Sequence, residues 1–148
     1  MALNPCAMDI RKLTDDLSVA PQISPSDAAA IAAAGFQTVI CNRPDAENPP
    51  ELHASQLRTA LESVGITFHE LPFDGQTMTP EVIVQLREMI AAADAPILAY
   101  CRTGTRCTNA WALGQAGVMD ANSIISAAAT AGYDVSGLAP YLEQKITL

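Results

Sequence analysis

Three short apolar runs, FQTVIC at 36–41, ITFHEL at 66–71 and ILAY at 97–100, most constrain how this chain can fold. Runs of this kind, bounded by turn residues, read as buried strands. Between them lie stretches with helix start and stop signals. Ser24-Pro25-Ser26-Asp27 offers an N-cap, a first-turn proline and an acid three residues on, and Gly35 a stop. A second helix is expected over about 52–64, ended by Gly65, and a third opens at Thr79-Pro80-Glu81. The run CTNAWALGQAG at 107–117 continues as a helix, and two more are expected over about 120–131 and 136–146. Residues 9–20 pair Ile10/Leu13 with Leu17/Val19 around Asp15-Asp16, the pattern of a small hairpin. Strands alternating with helices, the internal strands apolar on both faces, predict a parallel sheet covered by helices. The expectation is one α/β domain over residues 1–148.

Charge and cysteine usage narrow the setting. The formal net charge is −8, so no basic stripe exists to neutralise phosphates and nucleic acid is not an expected partner. No stretch approaches the length needed to cross a bilayer. The start of the chain, MALNPCAMDIRK, lacks the pattern of a signal peptide. Four cysteines at 6, 41, 101 and 107 fit a reducing compartment better than a disulfide scaffold, so a bacterial-type cytoplasm is expected.

In parallel sheets, ligands bind beyond the carboxyl ends of the strands. That rule gathers three loops on one rim: the loop that starts at Cys101, the Asn42-Arg43-Pro44-Asp45 loop and the PFDG loop with Asp74. The loop Cys101-Arg102-Thr103-Gly104-Thr105-Arg106 leads from a strand into a helix. Loop amides and a helix N-terminus converging on one point make an anion cradle. The same field can bring a cysteine pKa from about 8.5 to roughly 3.5–7.5. Cys101 is therefore read as a nucleophile. The bland alternative, a small buried hydrophobe, suits this loop poorly.

The neighbours divide less cleanly. Arg106 opposes the helix dipole where it stands, a local conflict that points to a role for its planar fork on an anion. Arg102 could be a ligand contact or a solvated side chain. Thr103 and Thr105 are candidate substrate contacts, and Gly104 supplies a left-handed or closely approached backbone position. Arg43 could touch substrate or only pair with Asp45 or Glu47. Asp74 could be a general acid or a solvated turn aspartate. Cys107 reads first as a packed thiol, and otherwise as a resolving thiol for oxidised Cys101. Cys41 is expected in the core, His53 on a helix surface and His69 in the core. No His/Cys spacing suggests a metal, and no Gly-rich nucleotide motif suggests a bound cofactor.

These residues carry a resemblance. The loop 101–106 resembles the C-R-x-G-x-R active loop of rhodanese-type sulfurtransferases. The order of FQTVICNRPD, HELPFDGQTMTPE and PILAYC is similar to that of cysteine-dependent phosphatases of the dual-specificity type. Through ISPSDAAAIAAAGFQTVICNRPD and LAYCRTGTRCTNAWAL the chain resembles the phosphatase-like domain of beta-lactamase-hydrolase-like proteins. That bacterial family has been described both as phosphatase-like and as a sulfurtransferase family. Phosphatases use H-C-x-x-G-x-x-R; here four residues separate Cys101 from Arg106, Tyr100 replaces the histidine, and Cys107 takes the Ser/Thr position.

Two chemistries follow from the resemblance, and a third reading does without catalysis. In the first, Cys101 carries a sulfane sulfur from thiosulfate or a persulfide to a thiol acceptor such as glutathione. A metallo-β-lactamase-type persulfide-processing protein is the partner that the family implies. In the second, Cys101 forms a phosphocysteine from a phosphate ester, with Arg106 on the equatorial oxygens and Asp74 protonating the leaving group. The shorter loop favours sulfur, because three equatorial oxygens each need donors. In the third, the domain only senses anions or acts as an adaptor.

Overall fold

The computed structural model describes residues 9–143. Its sheet has five strands: β1 (Arg11–Lys12), β2 (Leu17–Ala20), β3 (Thr38–Cys41), β4 (Thr67–Glu70) and β5 (Ile97–Tyr100). They lie in the order β1-β2-β5-β3-β4. The four longer strands run parallel, and β1 returns on β2 as the antiparallel arm of the hairpin. The sheet is thus mixed at one edge, where the hairpin needs only a short turn instead of a crossover.

Six helices complete the layers: α1 (Ala28–Ala33), α2 (Ala54–Ser63), α3 (Pro80–Ala92), α4 (Thr105–Gly114), α5 (Ala121–Thr130) and α6 (Ala139–Leu142). Their starts follow local chemistry. Asp27 accepts the Ser24 N–H at 2.8 Å, Thr79 accepts from Val82 N at 3.3 Å, and Asp120 accepts from Ser123 N at 2.8 Å. Several expected boundaries shrink. The first helix is preceded by a 3-10 turn at Pro25–Asp27, the 52–64 helix starts two residues late, and the 107–117 helix ends at Gly114. The expected 136–146 helix is a 3-10 turn, Ser136–Leu138, followed by α6; its last residues lie outside the described range, as does Cys6.

Side-chain alternation along the strands sorts two cores. Leu17, Val19, Ile40, Ile97, Ala99 and Cys101 face α3, α4 and α5, packing on Leu86, Trp111, Ile124 and Ala128. Ala20, Val39, Cys41, Leu98 and Tyr100 face α1 and α2, packing on Ile31, Leu57 and Leu61. Both central strands, β3 and β5, are buried along their whole length. Edge strand β4 is not. There His69 is only half-buried, beside a cleft lined by Glu70 and Glu88, which corrects the expectation of a core histidine. His53 caps the start of α2, with Nε2 3.0 Å from the Asn48 carbonyl, instead of lying along the helix surface.

At the carboxyl rim the strand ends are tied together. Cys101 N–H donates to the Ala20 carbonyl at 3.3 Å and Asn42 N–H to the Tyr100 carbonyl at 2.9 Å. The buried Asn42 side chain reaches across to the Leu71 carbonyl at 2.9 Å. These bonds fix the three rim loops against one another.

Candidate active site

The β5–α4 loop turns on Gly104, the residue that caps α4. Its φ is +89°, a left-handed conformation, and a Cβ there would collide with the Tyr133 hydroxyl. Tyr133 in turn donates to the Thr103 carbonyl at 3.2 Å, and Thr108 Oγ1 donates to the Gly104 carbonyl at 2.7 Å. With its carbonyls engaged from outside, the loop turns its amides inward. Gly104 N–H donates to Cys101 Sγ at 3.1 Å, and the amides of Cys107 and Thr103 also serve that sulfur.

The Cys101 thiol sits at about 5, far below its ordinary value. The largest cause is the Cys107 thiol; burial works the other way, and the amides of Cys107, Thr103 and Gly104 add to the lowering. Cys107 moves oppositely. Burial first, then the neighbouring Cys101 sulfur, hold its thiol well up, so it remains the proton donor of the pair. Tyr100, in the position before the nucleophile, has its side chain on the opposite sheet face, near Cys41, and burial pushes its hydroxyl up. It plays no part at the sulfur.

Cys101 opens into a cavity of about 280 Å³ lined also by Arg102, Thr103, Thr105, Arg106 and Asn109, and by Gly75 and Met78 from the β4–α3 loop. The structure therefore gathers the expected loop residues around one sulfur. Arg102, Thr103 and Thr105 are exposed at the mouth, and Gly104 is buried beneath it.

Arg106 is more constrained than its position in the sequence suggests. Its two terminal nitrogens grip Glu47, each at 3.1 Å, and Nη1 also donates to the Phe73 carbonyl at 3.0 Å. A guanidinium has five N–H groups, so the Nε edge and one Nη2 hydrogen are left for an anion. Glu47 also takes Arg43 Nε at 3.3 Å. Burial acts to raise the Glu47 carboxyl, but hydrogen bonds and charge from Arg106 and Arg43 hold it below its ordinary value. Arg43 thus stands behind Glu47, with a second contact to Gln22 Oε1 at 3.2 Å, and does not line the cavity. Of its two sequence-level readings, the ion pair describes its contacts.

Asp74 lies near the rim but not on the cavity lining. Its Oδ1 accepts from Gln76 N at 2.8 Å, Thr77 N at 2.9 Å and Thr77 Oγ1 at 3.1 Å. The Gln76 and Thr77 amides, more than the nearby Arg106, lower its pKa. A group held ionised by its own turn is poorly disposed to donate a proton. Glu47 and Tyr133 are the residues that sequence reasoning missed as parts of the site. The spacing of Arg43 and Glu47 was the available signal for the first; nothing local signals the second.

No group of three or more metal-ligating side chains occurs among the described residues, and no helix there is long and apolar enough to cross a membrane.

A mostly parallel sheet with a cysteine loop running into a helix N-terminus is an arrangement this chain shares with cysteine phosphatases, as known proteins show. The chain belongs to the family of the beta-lactamase hydrolase-like protein, phosphatase-like domain, which it matches over residues 9–118. A beta-lactamase hydrolase-like protein of Agrobacterium fabrum is 29% identical over 136 residues, 90% of this chain and 32% of that one. The chain therefore spans about a third of the curated relatives' length. A Neisseria meningitidis crystal structure assigned provisionally to the phosphatases is 37% identical, with a TM-score of 0.81, covering 92% of this chain and 97% of that one. The core catalytic domain of a Saccharomyces cerevisiae PP-IP phosphatase, in complex with citrate, shares the fold at a TM-score of 0.68 and 12% identity, covering 93% of this chain and 85% of that one.

Proposed function

We propose that this domain is a cysteine-thiolate enzyme that takes a transferable group from a small anion onto Cys101, and that the group is a sulfane sulfur. One observation carries the choice of group. The loop between Cys101 and Arg106 has four residues, and the arginine that closes it already spends three of its five N–H groups on Glu47 and Phe73. A phosphoryl transition state spreads charge over three equatorial oxygens and needs donors for each. A persulfide places its charge on one sulfur, which a few loop amides can serve.

The Cys101 thiolate attacks the outer sulfur of thiosulfate or of a persulfide. An S–S bond forms, the donor's S–S bond breaks, and sulfite or a thiolate leaves. Arg106 and Arg102 lower the cost of bringing the anion beside a thiolate. A thiolate acceptor such as glutathione then attacks the outer sulfur of the enzyme persulfide and regenerates Cys101.

Phosphomonoester hydrolysis is the second reading, and the comparisons favour it over sulfur transfer: the family is phosphatase-like, and the neighbours are described as phosphatases. It requires Asp74 to release its turn bonds before protonating a leaving group. Intact mass measurement separates the two. Thiosulfate or glutathione persulfide should leave one added sulfur on the wild type and none on Cys101→Ser. An aryl phosphate turned over by the wild type, but not by Cys101→Ser or Asp74→Asn, would establish the phosphatase instead. No sulfur adduct with any sulfane donor removes the first reading.

A further inference from the structure

The residue just past β3 is one that the ordinary rules of burial would not choose. Asn42 is 0% exposed, in a place that apolar side chains usually fill. It spends its polar groups on the two segments that flank the site. Its N–H donates to the Tyr100 carbonyl at 2.9 Å, one residue before the nucleophile. Its Nδ2 donates to the Leu71 carbonyl at 2.9 Å, and its own carbonyl accepts the Phe73 N–H at 3.2 Å. The residue between them, Pro72, has no N–H with which to carry the sheet ladder onward. That ladder ends where Leu71 N–H meets the Cys41 carbonyl at 2.8 Å. Asn42 takes over at that point and clamps residues 71–73 against the end of the sheet. Its Oδ1 is buried and finds no partner among the described residues. An amide with one end unpaired is a poor device for stability alone, and such local losses concentrate at functional sites.

The clamp matters because of what the Phe73 carbonyl holds. Arg106 gives Glu47 one hydrogen from each of Nη1 and Nη2, and its second Nη1 hydrogen goes to the Phe73 carbonyl at 3.0 Å. Nη1 is then saturated, and free N–H groups remain on Nε and Nη2. Those two lie along one edge of the planar fork and can take an anion at two points. Glu47 grips the end of the fork. The Phe73 carbonyl bonds the edge opposite the free one, so the two together fix both the plane of the guanidinium and the edge it offers.

We propose that Asn42 is a positioning residue, which holds the Phe73 carbonyl in place and through it aims the free edge of Arg106 at an anion beside Cys101. The side-chain amide is the part that the backbone cannot replace. Without it, the stretch after the last ladder bond keeps only the Phe73 N–H bond to Asn42, the longest of the set. The loop amide that serves the Cys101 sulfur belongs to a different segment and does not depend on this side chain. The proposal rests on Arg106 binding an anion, as the function proposed above requires, but not on which group is transferred.

The test reads anion binding without turnover. Iodoacetamide alkylation of Cys101 in the full chain is followed by peptide mass at neutral pH and constant ionic strength, over rising sodium sulfate. Sulfate held at Arg106 shields the sulfur, so the wild type should be protected. In Asn42→Ala, half-protection should need about tenfold more sulfate, the scale of one weakened charge-assisted hydrogen bond. Alkylation without sulfate should match the wild type. Arg106→Lys keeps the charge but has no fork to aim, so adding Asn42→Ala to it should cost little more. An equal loss in both backgrounds means that Asn42 acts elsewhere; it overturns the proposal and leaves the anion site standing. A wild type that sulfate does not protect removes the anion site and the proposal together. If thermal unfolding finds Asn42→Ala misfolded, the wild type decides. By linkage, saturating sulfate should slow hydrogen exchange at the Phe73 amide, and no change there overturns the proposal.

Discussion

At the scale of single residues the site rests on where protons and charges are held. Cys101 at about 5 is a thiolate throughout the neutral range. The lowered value means that charge is lost only as pH falls through about 5, not as it falls through the ordinary thiol range. Iodoacetamide alkylation of Cys101 should therefore stay nearly flat between pH 6 and 8, where an unperturbed thiol gains roughly tenfold per unit until its pKa of about 8.5. A steep rise across that window would show an ordinary thiol and would favour an anion-sensing or adaptor role. Glu47 makes a second case, because it acts on the reaction only through Arg106. Glu47→Gln keeps an oxygen near Arg106 but loses the charge and the two-point grip. Losing a negative charge beside an anion site helps binding, while losing aim slows transfer. The expected result is a KM no higher than wild type with kcat down by roughly 10–100-fold, the scale of a small misplacement of a catalytic group. A higher KM with unchanged kcat would mean that Glu47 serves binding alone.

At the scale of elements the β5–loop–α4 unit carries the site. Gly104→Ala places a Cβ in a left-handed conformation, at a cost of about 1–2 kcal/mol, and drives it into the Tyr133 hydroxyl. The melting temperature should fall by roughly 2–8 °C, and the pH at which Cys101 is half-alkylated should rise as its amides turn away. Tyr133→Phe removes the hydroxyl in the way, so the double variant should lose less stability than the two single losses summed. Strict additivity would mean that Tyr133 does not buttress the loop. This unit was legible in the sequence, because an apolar run, a glycine and a helical pattern are local signals. So was most of the fold: each parallel strand lies inside its expected run, and the hairpin at the edge formed as patterned. The partners of the side chains were not legible. Arg106 finds Glu47 from the β3–α2 loop, and Tyr133 reaches Thr103 from beyond α5. Both contacts join residues far apart in sequence and depend on packing that no local pattern encodes. Asp74 is a different case: its motif placed it near the rim, and the turn it belongs to holds one of its carboxylate oxygens.

At the scale of the whole molecule the question is whether two cores on opposite sheet faces behave as one unit. The core with Trp111 and Ile124 and the core with Leu57 and Leu61 touch different helices. They nevertheless share β3 and β5, whose consecutive residues alternate between them: Val39 and Leu98 serve one, Ile40 and Ala99 the other. Losing either helical layer would leave both central strands with a bare apolar face. Neither half can then persist when the other melts, and the domain should unfold in a single cooperative step. Trp111 is the chain's lone tryptophan and reports on one face. Hydrogen-exchange labelling of α2 in urea reports on the other. The two midpoints should coincide, and Cys101 should become an ordinary thiol at that same midpoint, since its amide cradle is held by bonds to Ala20 in β2 and to Tyr133 beyond α5. Separate midpoints would show that residues 9–143 are two folding units. Early loss of the low thiol pKa would show a site that opens before the fold does.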